Sequence, residues 1–144
     1  MEKLIQKYFQ KQGDYENHFN FPVDIDKFKS VEEELCFKFP VDYIEFLKIT
    51  NGFEGFVGES YCQFNWLEEI VQNTEGYCKE FFPWAIHIGG NGGGEMYVIN
   101  KRKEKSTYGI MPCIADEEDF IPLGNEFEEF IKRLYMNDFW SKKS

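Results

Sequence analysis

Residues 85–97 read AIHIGGNGGGEMY. From Gly89 to Gly94 every residue is glycine except Asn91. A short apolar run, Ala85 to Ile88, precedes the cluster, and Met96-Tyr97-Val98-Ile99 follows it. Glycine loses more backbone entropy on folding than any other residue, so such a cluster needs a reason in the backbone: a sharp turn or a close approach. A phosphate-cradling loop would need GxxxxGK[ST] leading into a helix whose amides hold the anion. Here Gly94 is followed by Glu95 and a run of strand-forming residues, with no Lys, Ser or Thr in place. The dinucleotide fingerprint fails on the same ground. The cluster therefore reads as a glycine-rich turn joining two strands, with Glu95 at the start of the second.

Downstream, KRKEK at 101–105 forms a basic turn, 108–114 a strand, 115–119 an acidic stretch and 120–123 a last short strand. Asn125 is placed to cap a final helix whose apolar positions are Phe127, Phe130, Ile131 and Leu134. Upstream, 66–76 has helical spacing, with Leu67, Ile70 and Val71 inward. Residues 61–64 look like a short strand, and 53–58 is punctuated by glycine. Pro40 suits the first turn of a helix over 40–49 that buries Tyr43, Ile44, Phe46, Leu47 and Ile49. Asn51-Gly52 stops that helix with a left-handed residue. Asp24 or Asp26 caps a helix reaching Leu35, with Ile25, Phe28, Val31 and Leu35 as its buried stripe. Residues 14–22 read as an aromatic loop. A first helix over 2–12 carries Leu4, Ile5, Tyr8 and Phe9 on one face and ends at Gly13. Helices before, within and after a run of hairpin-linked strands predict an α+β fold. The expected architecture is one domain over 1–144: a mostly antiparallel sheet of about 4–6 strands packed against several helices.

Composition narrows the function. The chain has 144 residues, 42% hydrophobic and 19% aromatic, enough for a real core. Acids outnumber bases 26 to 16, a formal net charge of −10. That balance argues against nucleic-acid binding, which rewards a basic face, and favours a basic protein partner or plain solubility. Cys36, Cys62, Cys78 and Cys113 are widely spaced, without the CxxC or Cys/His pattern of a zinc site. The opening MEKLIQKYF lacks the apolar core of a secretory leader, and no stretch has the ~20 apolar residues of a membrane span. The expectation is a reduced, cytoplasmic protein without metal or cofactor.

No constellation points to catalysis. Asp116, Glu117, Glu118 and Asp119 lack the alternation and the glycine of a calcium loop and read as a solvated face. His18 and His87 are the two histidines. His87 lies in the alternating stretch AIHI, where a structural role is expected over a Cys–His nucleophile pair.

Four segments taken in order are more specific than any one alone: FPVDYIEFLKITNG at 39–52, GFVGES at 55–60, IGGNGGGEMY at 88–97 and DEEDFIPLGNEFEEFI at 116–131. Together they resemble the SUKH superfamily, the Smi/Knr-type domain, over about 26–134. Cys36 and Cys62 stand where that pattern leads one to expect a glycine or an ordinary apolar residue. The resemblance implies an α+β fold and a role without catalytic residues. Bacterial members look like immunity proteins that neutralise a cognate polymorphic toxin by binding it; fungal relatives are regulators of cell-wall synthesis acting through protein contacts. For this chain it implies a toxin as partner, with a general regulatory module as the alternative. A nuclease-type toxin has a basic cleft, toward which an acidic inhibitor is steered. The partner-binding candidates that the resemblance carries over are Glu54, Glu59, Asn91, Glu95, Asp116, Glu117, Asp119 and Asn125.

Overall fold

A computed structural model describes residues 1–9, 17–101, 106–114, 116, 119–137 and 139. The elements are α1 (Glu2–Tyr8), β1 (His18–Phe19), α2 (Ile25–Leu35), α3 (Val41–Leu47), β2 (Phe53–Val57), β3 (Ser60–Phe64), α4 (Leu67–Tyr77), β4 (Ala85–Gly90), β5 (Glu95–Asn100), β6 (Thr107–Pro112), β7 (Ile121–Gly124) and α5 (Phe127–Met136). The seven strands form one antiparallel sheet in chain order, β1 to β7. The fold is α+β as expected, with seven strands against the 4–6 read from sequence.

The extra strands escaped notice for local reasons. β1 is two residues long, too short for any periodicity, and it lies in the aromatic segment read as a loop. β2 alternates buried and outward residues, but its Gly55 and the following Gly58 mimic a loop. Asn17 holds this edge: its Oδ1 accepts from Phe56 N at 2.8 Å and its Nδ2 donates to Phe56 O at 3.2 Å.

One face of the sheet carries the main core. Phe64, Tyr97 and Tyr108 from the strands meet Phe46 of α3 and Phe127 and Phe130 of α5, and Tyr108 stacks on Phe130 at 5.3 Å between centroids. Burying each such side chain is worth about 1.5–3 kcal/mol. On the other face a smaller cluster covers β4 to β6, where Met96, Val98 and Met111 pack with Cys78, Phe82 and Trp84. Over β1 to β3 this second face is open: His18 sits opposite Glu54, and Glu54 opposite Gln63, all exposed.

Several ends differ from expectation. Pro40 is the cap of α3 and not its first turn, and α3 ends through a right-handed Lys48; the left-handed residue expected at Asn51-Gly52 is present, at Gly52 with φ 84°, but beyond the helix end. Asn51 instead serves α4, where its Oδ1 accepts from Leu67 N at 2.7 Å; Trp66 in the capping position has no side-chain acceptor to do so. Asn125 is not the cap of α5. That position is Glu126, whose N–H donates to Glu129 Oε1 at 3.2 Å, while Asn125 Oδ1 accepts from Thr107 Oγ1 at 3.0 Å. Asp24 caps α2 as read, accepting from Asp26 N at 3.1 Å. Cys36 ends α2 at φ 51°, a left-handed position that favours glycine, and Cys62 is fully buried. The expected end of the first helix and most of the basic turn, 102–105, lie outside the described residues. No described helix is long and apolar enough to cross a membrane.

Candidate functional site

The glycine cluster resolves into distinct roles. Gly89 and Gly90 belong to β4 and pair with Phe64 and Gln63 of β3. A Cβ on Gly89 would lie 2.3 Å from the Gln63 carbonyl oxygen, which is backbone and cannot yield. Gly92 and Gly94 have φ of 75° and 104°, in the left-handed region. Gly93 has open space, with its nearest neighbour atom 3.6 Å away. Asn91 ties the turn: its Oδ1 accepts from Gly93 N at 2.9 Å and Glu95 N at 3.2 Å, and its Nδ2 donates to Glu95 Oε1 at 2.8 Å. Gly89→Ala is therefore expected to cost about 2–3 kcal/mol in urea denaturation, and Gly93→Ala within about 0.5 kcal/mol of zero. Equal costs would mean that strand contact is not what demands glycine.

The turn gathers other segments around it. β3 outruns β4, so the turn lies along the upper half of β3, with Gly92 beside the Tyr61 ring. Tyr61 Oη donates to Glu54 Oε2 at 2.5 Å and accepts from Gln63 Nε2 at 3.1 Å. Glu59 lies in the β2–β3 turn at the same end of the sheet. Cys113 N donates to Gly94 O at 2.8 Å, which anchors the start of the acidic stretch there. Within that stretch Asp119 Oδ2 accepts from Asp116 N at 2.9 Å.

Six of the eight expected residues thus fall on one end of the sheet or its adjoining face: Glu54, Glu59, Asn91, Glu95, Asp116 and Asp119. Asn125 lies at the opposite end, beside Lys38, Asp42 and Ser106. Glu117 is outside the described residues. Tyr61, which links Glu54 to the glycine turn, was missed. Its signal was the alternation of Ser60 to Phe64, which turns Tyr61 and Gln63 away from the core. Where the described carboxylates of this end have partners, those partners are neutral: a phenol, a carboxamide and a backbone N–H. Among the described residues none of these five sits in an ion pair.

The histidine has the environment of a structural group. His87 is 7% exposed and stacked on Tyr77 at 5.0 Å, and its backbone N–H donates to Thr74 Oγ1 at 3.0 Å. Asn65 Nδ2 lies 2.9 Å from His87 Nδ1 and donates to the His87 carbonyl oxygen at 3.0 Å. Burial lowers the His87 pKa to about 4. The folded state thus favours the neutral ring, and the unfolded chain binds the proton more readily. The stabilising contribution is complete above the ordinary value of 6.5 and is lost as pH falls toward 4. The full loss is about 3 kcal/mol. His87→Gln is expected to flatten unfolding free energy over that window; an unchanged slope would refute the assignment. The four cysteines are free thiols, and burial pushes Cys62 and Cys78 up to about 12, away from thiolate chemistry.

Fold and site together describe an α+β domain whose described carboxylates at one sheet end are bonded, where they have partners, to neutral donors. The chain belongs to the SMI1/KNR4 family (SUKH-1), whose pattern matches residues 22–133. It is also 35% identical over 120 residues to YnaB of Bacillus subtilis strain 168, an uncharacterised protein, with 81% of this chain and 79% of the relative covered.

Proposed function

We propose that this protein is an immunity protein: it binds a cognate bacterial toxin with a basic functional cleft and blocks it without catalysing a reaction. Family membership supports a protein-binding role. The observation that supports the finer reading is the set of carboxylates at the glycine-turn end, which among the described residues bond to neutral donors and not to Lys or Arg. A surface of that kind raises the on-rate of a basic partner and disfavours acidic ones. Glu54, Glu59, Asn91, Glu95, Asp116, Glu117 and Asp119 form the proposed contact set. Asn125, at the far end, is left out of the contact on geometric grounds.

The test is a pull-down with the toxin domain encoded in the adjacent reading frame, followed by calorimetry on the purified pair. A saturable complex supports the reading. Absence of a complex, with both proteins folded, overturns it in favour of a regulatory module with another partner.

A further inference from the structure

Three segments that each expose a large apolar side chain meet around Asn51. Phe21 is 90% exposed, Ile25 64% and Trp66 51%. Asn51 N donates to the Phe21 carbonyl oxygen at 2.9 Å, and Asn51 Oδ1 accepts from Leu67 N, next to Trp66, at 2.7 Å. Ile25 opens α2, which Lys27 ties to the start of α4 through Glu68 at 3.5 Å. We propose that this patch docks an apolar strip of the toxin that is bordered by Lys and Arg.

Single apolar residues at a surface are ordinary, but three brought to one place by separate segments mark a contact. The local structure asks for something else at each position. Trp66 stands where Ser, Thr, Asp or Asn would cap α4, and Asn51 supplies that cap in its place. Ile25 lies in the first turn of α2, off the buried stripe of Phe28, Val31 and Leu35. Phe21 enters solvent from backbone held on both sides: Asn20 N donates to Thr50 Oγ1 at 2.8 Å and Val23 N to Leu47 O at 3.1 Å. Aromatic side chains on backbone already ordered lose little freedom on binding, which suits them as anchors of an interface.

Charge selects the occupant. The chain neighbours of these residues include Asp24, Asp26, Glu68 and Glu69, all exposed, while Lys27 is paired with Glu68. A second copy docked about a twofold axis would set these acids against themselves. An anionic lipid surface is repelled for the same reason. A partner whose apolar strip has a basic border is attracted. A cleft lined by Glu54, Gln63 and Trp66 joins the patch to Glu54 of the glycine-turn contact set. The acids thus act on the encounter, and the apolar side chains on the lifetime of the complex.

The patch deepens the toxin-binding reading and rests on it for the partner. Association and dissociation are measured by surface plasmon resonance between the toxin domain of the adjacent reading frame and the full chain, as wild type, Phe21→Ala and Trp66→Ala. Each variant should dissociate roughly tenfold faster or more, with association within about threefold of wild type. Circular dichroism should show both variants folded. Phe81→Ala, at a residue 72% exposed beyond the other end of α4, should change nothing. A toxin complex that neither patch variant weakens overturns the patch and leaves the toxin reading standing. If no toxin complex forms, that reading falls, and the patch is judged by NMR with two synthetic amphipathic helices. One has a leucine face bordered by lysines, the other the same face bordered by glutamates. Saturable shifts at the Trp66 indole N–H with the lysine peptide alone support the patch; no saturation, or equal binding of both, overturns it. A wild-type dimer in sedimentation, or capture by phosphatidylglycerol vesicles, that Phe21→Ala and Trp66→Ala abolish overturns it in favour of a second copy or a membrane.

Discussion

Replacing Glu54, Glu59 and Asp116 together by lysine is expected to slow association with a basic partner by roughly 10–100-fold at low salt. The three residues come from β2, the β2–β3 turn and the segment after β6, and only the fold brings them to one end. Long-range attraction acts on the encounter, so the loss belongs mainly to the association rate. Dissociation should change less, apart from what Glu54 contributes by direct contact. Raising ionic strength toward 1 M shortens the Debye length to about 3 Å and should bring variant and wild type together. The control is reversal of Glu45 and Glu128, exposed residues beside the hollows at the opposite end. If that pair slows association equally per charge, net charge and not the glycine-turn end does the steering.

Asp42→Ala should produce the largest loss of stability among single changes at charged residues. Asp42 Oδ1 accepts from the Tyr108 hydroxyl at 2.7 Å, and Oδ2 from Phe127 N at 2.7 Å. One carboxylate thus joins the start of α3, strand β6 and the first turn of α5. Tyr108 is fully buried, and desolvation together with the neighbouring Asp42 charge raises its pKa far above the usual phenol range. Removing the carboxylate orphans a buried hydroxyl, at about 1–3 kcal/mol. It also removes a helix-terminal acceptor, worth about 1 kcal/mol. A total near 3 kcal/mol corresponds to roughly 10 °C in Tm for a chain of this size. Tyr108→Phe in the Asp42→Ala background should recover part of the loss, because no donor is then stranded. Strict additivity of the two changes would show that the bond across the core contributes nothing.

The sequence made the helices and the glycine turn legible because each carries a local signal. Asp24 followed by the Phe28, Val31, Leu35 stripe defines α2, although Ile25, read into the same stripe, is exposed in the helix's first turn; the glycine cluster between two apolar runs defines the β4–β5 turn. What stayed hidden depends on distant partners. β1 exists because Glu54 and Phe53 offer it an edge, and two residues carry no period of their own. Asn51 reads as the end of one helix, yet its side chain caps another that begins sixteen positions later. The acids of the candidate site were visible as residues, while their gathering was not. Tyr61 joins Glu54 to the glycine turn only because β3 runs past the end of β4. The need for so many glycines has separate causes: strand contact at Gly89 and left-handed backbone at Gly92 and Gly94.

The central claim is neutralisation by contact through the glycine-turn end. Its most direct test is the activity of the purified toxin domain, titrated with this protein at physiological salt. The account predicts complete inhibition near equimolar protein, and a titration curve displaced to much higher concentration for the Glu54, Glu59 and Asp116 lysine variant. Full toxin activity in saturating wild-type protein, or inhibition unchanged by the variant, would contradict it.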